Sequence, residues 1–285
     1  MKLNKKRYDE KTTVYHYNKL EQDLVKKSVE CLKTNKVNIN NLNLVKSANG
    51  RKVFKLEFRN KNYYIKKYFY RKISKRIKNL FRVSEAVRAS KISNRLLKVG
   101  IPVVRPILAI TYKRNLWTQD SIFVTEGFNG ITLQQYIAYG DYNRKMKCNI
   151  IKRVARLWAK FYSENFLNGD PNLASILIKF GQTDFKIKLV DVDNIRYYPS
   201  LSWKAILENL ADFNAHTYSG LDKMGGRKLS YKDRELFLRE FSKTYGRKID
   251  VQKTGDYINR KTVDELIEWD KINLIDTNNE LRPFM

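Results

Sequence analysis

The sequence predicts an α+β chain in two lobes, an antiparallel-sheet lobe followed by a mostly helical one. Three observations carry this. The chain has 285 residues, enough for one large domain or two lobes, each with its own core. LNLVKSANGRKVFKLEFRNKNYYIKKYFY, from Leu42 to Tyr70, alternates at period two around turn signals. From Trp203 onward the apolar residues recur instead at helical spacing.

Taken in order, Leu20, Leu24, Val25, Val29 and Leu32 predict a first helix over Lys19–Lys33. Three strands follow, with Asn49-Gly50 as one hairpin turn and Arg59–Asn62 as the next. RKISKRIKNLFR places Ile73, Ile77, Leu80 and Phe81 on one face of a basic amphipathic helix. A helix over Ser84–Lys98 is stopped by Gly100 and Pro102. Short strands are expected at Ile107–Tyr112 and Ser121–Thr125, and EGFNG, Glu126–Gly130, then joins the lobes, so the division is set at 1–125 and 126–285. Val154, Leu157, Trp158, Phe161 and Tyr162 share a helical face before NGDPNLASILIKF. ASILIKF and FKIKLVDV read as a hairpin around GQTD, and helices follow over Trp203–Tyr218, Tyr231–Tyr245 and Thr262–Asp270.

Composition narrows the partners. Lys and Arg number 57 against 29 Asp and Glu, a net +28, which favours a polyanionic partner: nucleic acid, an acidic membrane or a phosphorylated substrate. The excess sits early: Arg59–Lys98 holds fourteen basic residues and one acid, whereas Gly246–Met285 holds seven basic and eight acidic. Cys31 and Cys148 match no zinc or redox spacing and imply a reducing compartment. His16 and His216 are the sole histidines, which disfavours a histidine metal site and leaves both as expected core or surface residues. MKLNKKRYDEKTT lacks an apolar h-region, and no run approaches a membrane span, so a cytoplasmic, soluble or surface-bound chain is expected.

The site argument starts from Asp170. A hairpin centred between Gln182 and Thr183 pairs residue i with 365 − i, which sets Asp191 opposite Ala174 and beside Ser175. A loop carboxylate and a strand-end carboxylate then share one cleft, and Asp193 is a further candidate. Two acids, a glycine-bearing connection and a lysine on the third strand of the early sheet are the parts that phosphoryl transfer needs. Their order matches a kinase: Tyr64-Ile65-Lys66, then Glu126–Gly130, then Asn168-Gly169-Asp170, then Asp191-Val192-Asp193. There is no Walker A and no Rossmann fingerprint.

GRKVFKLEF at Gly50, LLKVGIPVVRPI at Leu96, LNGDPNLASILI at Leu167 and KLVDVDNIR at Lys188 together resemble the bacterial lipopolysaccharide core kinases, most of all the heptose(II) kinase type, related to the Kdo kinases. The resemblance covers about Asn43 to Arg196. It implies a two-lobed protein-kinase-like fold and an ATP- and Mg²⁺-dependent transfer to a heptose or Kdo hydroxyl of the lipopolysaccharide core. It implies Asp170 as the base, Asp191 as a magnesium ligand, Lys66 on the α/β-phosphates and the backbone of Glu126, Gly127 and Phe128 against adenine. Lys67 competes with Lys66, and the pleat lets only one of them face a nucleotide. Where the family has a metal-binding asparagine this chain has Ser175. The glutamate that partners the strand lysine would fall at Ala89, and Glu85, one turn earlier, is the available acid. The implied partner is an anionic glycolipid acceptor at the cytoplasmic face of the inner membrane, reached through the basic N-lobe.

Two other classes stand beside this reading. A non-catalytic kinase-like module binding anionic glycolipid or membrane is motivated by Ser175 and Ala89. A nucleic-acid binder is motivated by the charge and eighteen tyrosines, but no recognised motif supports it, and no nucleic acid is expected.

Overall fold

The computed structural model describes residues 2–17, 20–33, 42–48, 50–69, 83–115, 118–182 and 184–275. The basic helix expected around Ile73–Phe81 lies outside them. The chain divides into two compact units, Met1–Asn129 and Gly130–Met285. The boundary follows Asn129 because the Glu126–Asn129 connection stays tied to the first unit. The Gly127 amide donates to the Asn62 carbonyl at 2.7 Å and the Asn62 side chain donates to Asn129 at 3.3 Å.

The first unit is a seven-stranded antiparallel sheet with helices α1 (Gln22–Lys33) and α2 (Glu85–Lys98). Strands β1 (Asn4–Arg7) and β2 (Thr12–His16), which the pattern reading did not anticipate, extend it through β2 pairing with β6 (Pro106–Asn115). β1 is four exposed polar residues in a row, which leaves a period-two search nothing to find, and β2, TTVYH, offers it only the short alternation of buried Thr12 and Val14. The remaining strands are β3 (Leu42–Ala48), β4 (Arg51–Phe58), β5 (Lys61–Tyr68) and β7 (Thr118–Glu126), in the sheet order β1-β2-β6-β7-β5-β4-β3.

Both hairpins fall where the turn chemistry placed them. Gly50 takes φ +80° in the β3–β4 turn. Arg59 and Asn60 take φ 49° and 59°, the left-handed pair a two-residue β4–β5 hairpin requires. Arg59 is held there by Asp23 at 2.8 Å in the first turn of α1. One face of the sheet packs Leu56, Tyr63, Ile65 and Val124 against Leu24, Val25, Val29 and Leu32 of α1. α2 begins at its cap Ser84 and ends as expected, with Gly100 at φ +73° and Ile101 donating back to the Leu96 carbonyl.

The second unit is helical around two small sheets. β8 (Ile131–Thr132) precedes α3 (Leu133–Tyr139), whose Thr132/Gln135 capping box fixes its start, and α4 (Arg144–Ser163) follows. β9 (Phe166–Asn168) pairs with β12 (Ile195–Tyr197), while β10 (Ile176–Phe180) pairs with β8 and β11 (Phe185–Leu189). The tail helices are α5 (Trp203–Met224), α6 (Tyr231–Tyr245) and α7 (Val251–Glu268). α5 runs beyond Tyr218 until Gly225 at φ +66° ends it. α7 starts eleven residues before the expected Thr262 because its buried Gly255 disguises an otherwise helical stretch. Trp158, fully buried, lies against Phe161, Tyr162 and Phe213 and centres this core. Among the described residues no helix is long and apolar enough to cross a membrane.

Candidate functional site

In the first unit the two adjacent lysines of β5 have different surroundings. Lys67 points to the α1 face, is 4% exposed, and donates to the carbonyls of Leu32 at 2.9 Å and Cys31 at 3.2 Å. These are last-turn carbonyls that lack intrahelical partners, so a buried ammonium meets the negative end of α1. Burial pulls the Lys67 pKa down, opposed by Cys31 and Asp120. The Cys31 thiol is pushed up to about 11 by burial, against the nearby Lys67, and stays neutral. Lys66 projects to the opposite face, where its ammonium lies 5.7 Å from the Tyr68 ring centroid. Glu85 opens α2 and pairs with Arg88 at 3.8 Å, and Ala89 is buried.

The connection carries its own constraint. The amides of Glu126 and Gly127 are already donated, to Arg105 at 2.9 Å and Asn62 at 2.7 Å. A Cβ on Gly127 would fall 2.7 Å from Asn62 atoms, so only glycine allows this approach.

In the second unit β9–β12 pairing sets Asn168 against Ile195, and the Gly169 amide donates to the Asn194 carbonyl at 3.0 Å. The Asp170 loop and the Asp191–Asn194 turn are thereby joined. Asn168 Oδ1 accepts the Asp170 amide at 3.1 Å. Asn172 caps the short 3₁₀ turn Leu173–Ser175 by accepting the Ser175 amide at 2.9 Å, and its own amide donates to Asp170 Oδ1 at 3.0 Å. Asn194 donates to Asp170 Oδ2 at 3.5 Å. Each oxygen of Asp170 thus faces an asparagine amide while the side chain remains 47% exposed. Asp191 Oδ1 accepts the Asp193 amide at 3.4 Å.

The hairpin register is the expected one: Ile176 pairs with Leu189 and Ile178 with Ile187, each summing to 365. The Val190 amide donates to the Ser175 carbonyl at 2.9 Å, which carries the pairing to the residue before Asp191. Ser175 is 4% exposed and its hydroxyl donates to the Asn172 carbonyl at 2.7 Å.

Helix α5 supports this loop with three polar residues on one stripe. Asn209 Nδ2 donates to the Asn168 carbonyl at 2.7 Å, and Asn209 Oδ1 accepts the buried Tyr162 hydroxyl at 3.1 Å. His216 Nε2 lies 3.3 Å from Asp212 Oδ1 and 3.8 Å from Asp170 Oδ1. The pattern reading singled out none of Asn172, Asn194, Asn209 or Asp212 and took His216 as core or surface. For the α5 residues, the spacing 209, 212, 216, which puts three polar side chains on one stripe of the helix, is the signal that carries them. An apolar pocket elsewhere in this unit, among Ile137, Val154, Phe213 and Leu238 with Arg234 at its rim, includes none of these site residues.

Residues 35–239 match the model of the lipopolysaccharide kinase (Kdo/WaaP) family. The chain belongs to that family. No curated protein matches it. Among solved structures it is similar to WaaP in complex with acyl carrier protein, at 16% identity and a TM-score of 0.58, covering 84% of this chain and 91% of that one. It also aligns with the Mycobacterium tuberculosis PknI kinase domain at 13% identity and a TM-score of 0.46, covering 80% of this chain and all of the other. The fold, shared with WaaP, is protein-kinase-like: an antiparallel-sheet first unit and a mostly helical second one.

Proposed function

We propose that this lipopolysaccharide kinase family member transfers the γ-phosphoryl group of ATP to a heptose or Kdo hydroxyl of the lipopolysaccharide core. Asp170 carries the reading. Its carboxylate is accessible, both oxygens are oriented by asparagine amides, and its loop is paired with the segment of Asp191. Asp170 would align the acceptor hydroxyl and take its proton as the new O–P bond forms and the bond from the γ-phosphorus to ADP breaks. Lys66 would hold the α/β-phosphates, with Glu85 orienting its ammonium. Adenine would be met by the backbone of Glu126, Gly127 and Phe128, where the amides of Glu126 and Gly127 already donate within the first unit.

Asp191 and Ser175 would hold Mg²⁺. Both offer hard oxygens, and the Ser175 hydroxyl proton is spent on Asn172, which leaves its lone pairs to donate. Mg²⁺ keeps several waters and is commonly held by one or two protein groups plus substrate phosphate, a demand these two side chains could meet. The ion would supply charge neutralisation on the phosphates. Association with the inner-membrane surface would use the basic N-lobe, each Lys or Arg near anionic lipid contributing roughly 1 kcal/mol.

A second reading, a non-catalytic module binding anionic glycolipid, is favoured by the burial of Ser175 and by the pairing of Glu85 with Arg88. One experiment separates them. Labelled ATP is incubated with dephosphorylated core glycolipid and with wild-type or Asp170→Asn protein, alongside thermal shift with Mg-ATP for wild type and Asp191→Ala. Transfer lost in Asp170→Asn and stabilisation lost in Asp191→Ala support the kinase; equal incorporation by both proteins removes Asp170 from the mechanism.

A further inference from the structure

His216 and Asp212 sit immediately behind Asp170, and no role above uses them. Their geometry is specific. Asp212 and His216 lie one turn apart on α5, which aims both at the loop end. A single atom, His216 Nε2, is placed between two carboxylates, 3.3 Å from Asp212 Oδ1 and 3.8 Å from Asp170 Oδ1. The Trp269 ring packs against the imidazole, centroids 4.7 Å apart. Its side chain is 30% exposed and that of Asp212 25%.

The charged neighbours come from every element packed here. His216 meets Asp170 from the catalytic loop, Asp212 and Lys223 from α5, and Lys271 from the segment after α7. Asp212 meets Asp170 and, from α7, Glu265. Burial pushes the Asp212 carboxyl up to about 7, with Glu265 and Asp170 adding to it. Burial lowers the His216 pKa, against the pull of Asp170 and with Lys223 and Lys271 adding to the fall. A neutral imidazole beside a carboxyl that keeps its proton near neutrality is not an ion pair. It is a pair of groups competing for one proton.

Resting on the kinase reading of Asp170, we propose that His216 and Asp212 act as one proton-holding pair that positions Asp170 and sets the charge facing it. When the pair holds its extra proton, it presents Asp170 with a neutral or cationic neighbour. After that proton leaves, Nε2–H is shared between two carboxylates, and Asp170 faces a second negative charge. His216 and Asp212 are positioning residues, because neither reaches the acceptor except through Asp170.

The test uses the full chain carrying His16→Gln, which leaves His216 as the single histidine. Its imidazole resonances are followed by NMR from pH 5 to 9 in that background and in the added variants Asp212→Asn and Asp170→Asn. The expected curve has a step near pH 7 that Asp212→Asn removes. Asp170→Asn moves the remaining midpoint downward, because Asp170 is the neighbour that favours the charged imidazole. A single ordinary titration near 6.5 that neither substitution moves overturns the proposal.

A second readout is the pH profile of phosphoryl transfer. His216→Ala is expected to lower kcat about tenfold with KM for ATP unchanged, while His216→Gln, which keeps a donor near the Nε2 position, restores most of it. Asp212→Asn should remove the limb of the profile near pH 7, and a limb it leaves in place counts against the pair. If no variant, wild type included, transfers phosphate, the kinase reading fails, and the resonances still decide whether the proton-holding pair exists.

Discussion

Asn209→Ala is the sharpest single perturbation of the loop support. The side chain spans a fully buried phenol and a main-chain carbonyl, accepting from Tyr162 at 3.1 Å and donating to Asn168 at 2.7 Å. Each hydrogen bond contributes about 1 kcal/mol net, and an orphaned buried phenol costs about 1–3 kcal/mol more. The expected loss is therefore about 3–5 kcal/mol. Burial keeps the Tyr162 hydroxyl protonated, so nothing but a new acceptor relieves it. Urea unfolding followed by tryptophan fluorescence reads this unit well, since Trp158 stacks on Tyr162 with centroids 5.9 Å apart. Adding Tyr162→Phe removes the orphan, so Asn209→Ala should cost about 2 kcal/mol less in that background. A cost under about 1 kcal/mol, or the same cost with and without the phenol, would refute the bridging role.

Two further substitutions test the surroundings. Asp212→Asn should stabilise the protein more at pH 8 than at pH 5: the native carboxyl titrates near 7 against an ordinary 3.8, so the fold holds a proton that the unfolded chain has released, and stability falls as pH rises through that window. The part of that gap crossed between pH 5 and pH 7, halved for solvent screening, corresponds to about 1.4 kcal/mol, and a Tm difference between variant and wild type that is flat with pH would contradict it. Lys67→Ala should cost about 2–4 kcal/mol through lost charge-assisted hydrogen bonds and an unfilled site, while Lys66→Ala, on the other face, should cost under about 1 kcal/mol; equal urea midpoints would show the two lysines to be structurally equivalent.

Much of this arrangement is legible in sequence because local chemistry dictates it. Gly50 and the Arg59-Asn60 pair announce their hairpins, and strict alternation in ASILIKF and FKIKL determines a register that brings Ser175 beside Val190. Asp170 and Asp191 stand out through spacing. What stayed hidden depends on contacts that no local pattern encodes. Among the described residues β1 pairs only with β2, and it is exposed throughout, so periodicity has nothing to detect. Asn194 looks like an ordinary turn asparagine until β9–β12 pairing places it on the carboxylate that Asn172, two residues along the same loop, already meets. His216 becomes meaningful only when α5 carries it back to a residue forty-six positions earlier, which is a tertiary fact.

The burial of Lys67 has a consequence for where this protein can be cut. The stretch that marks the family spans 35–239, and Lys67 lies inside it, yet the carbonyls that receive its ammonium belong to Cys31 and Leu32, outside. The same boundary discards β2, which completes the pairing of β6, and α7, which packs against α5. A chain trimmed to its recognisable part would keep the motifs of a kinase but strand a cation on an uncovered apolar face. Kinship and self-sufficiency have different borders here, and the sheet that carries Lys66 needs the wider one.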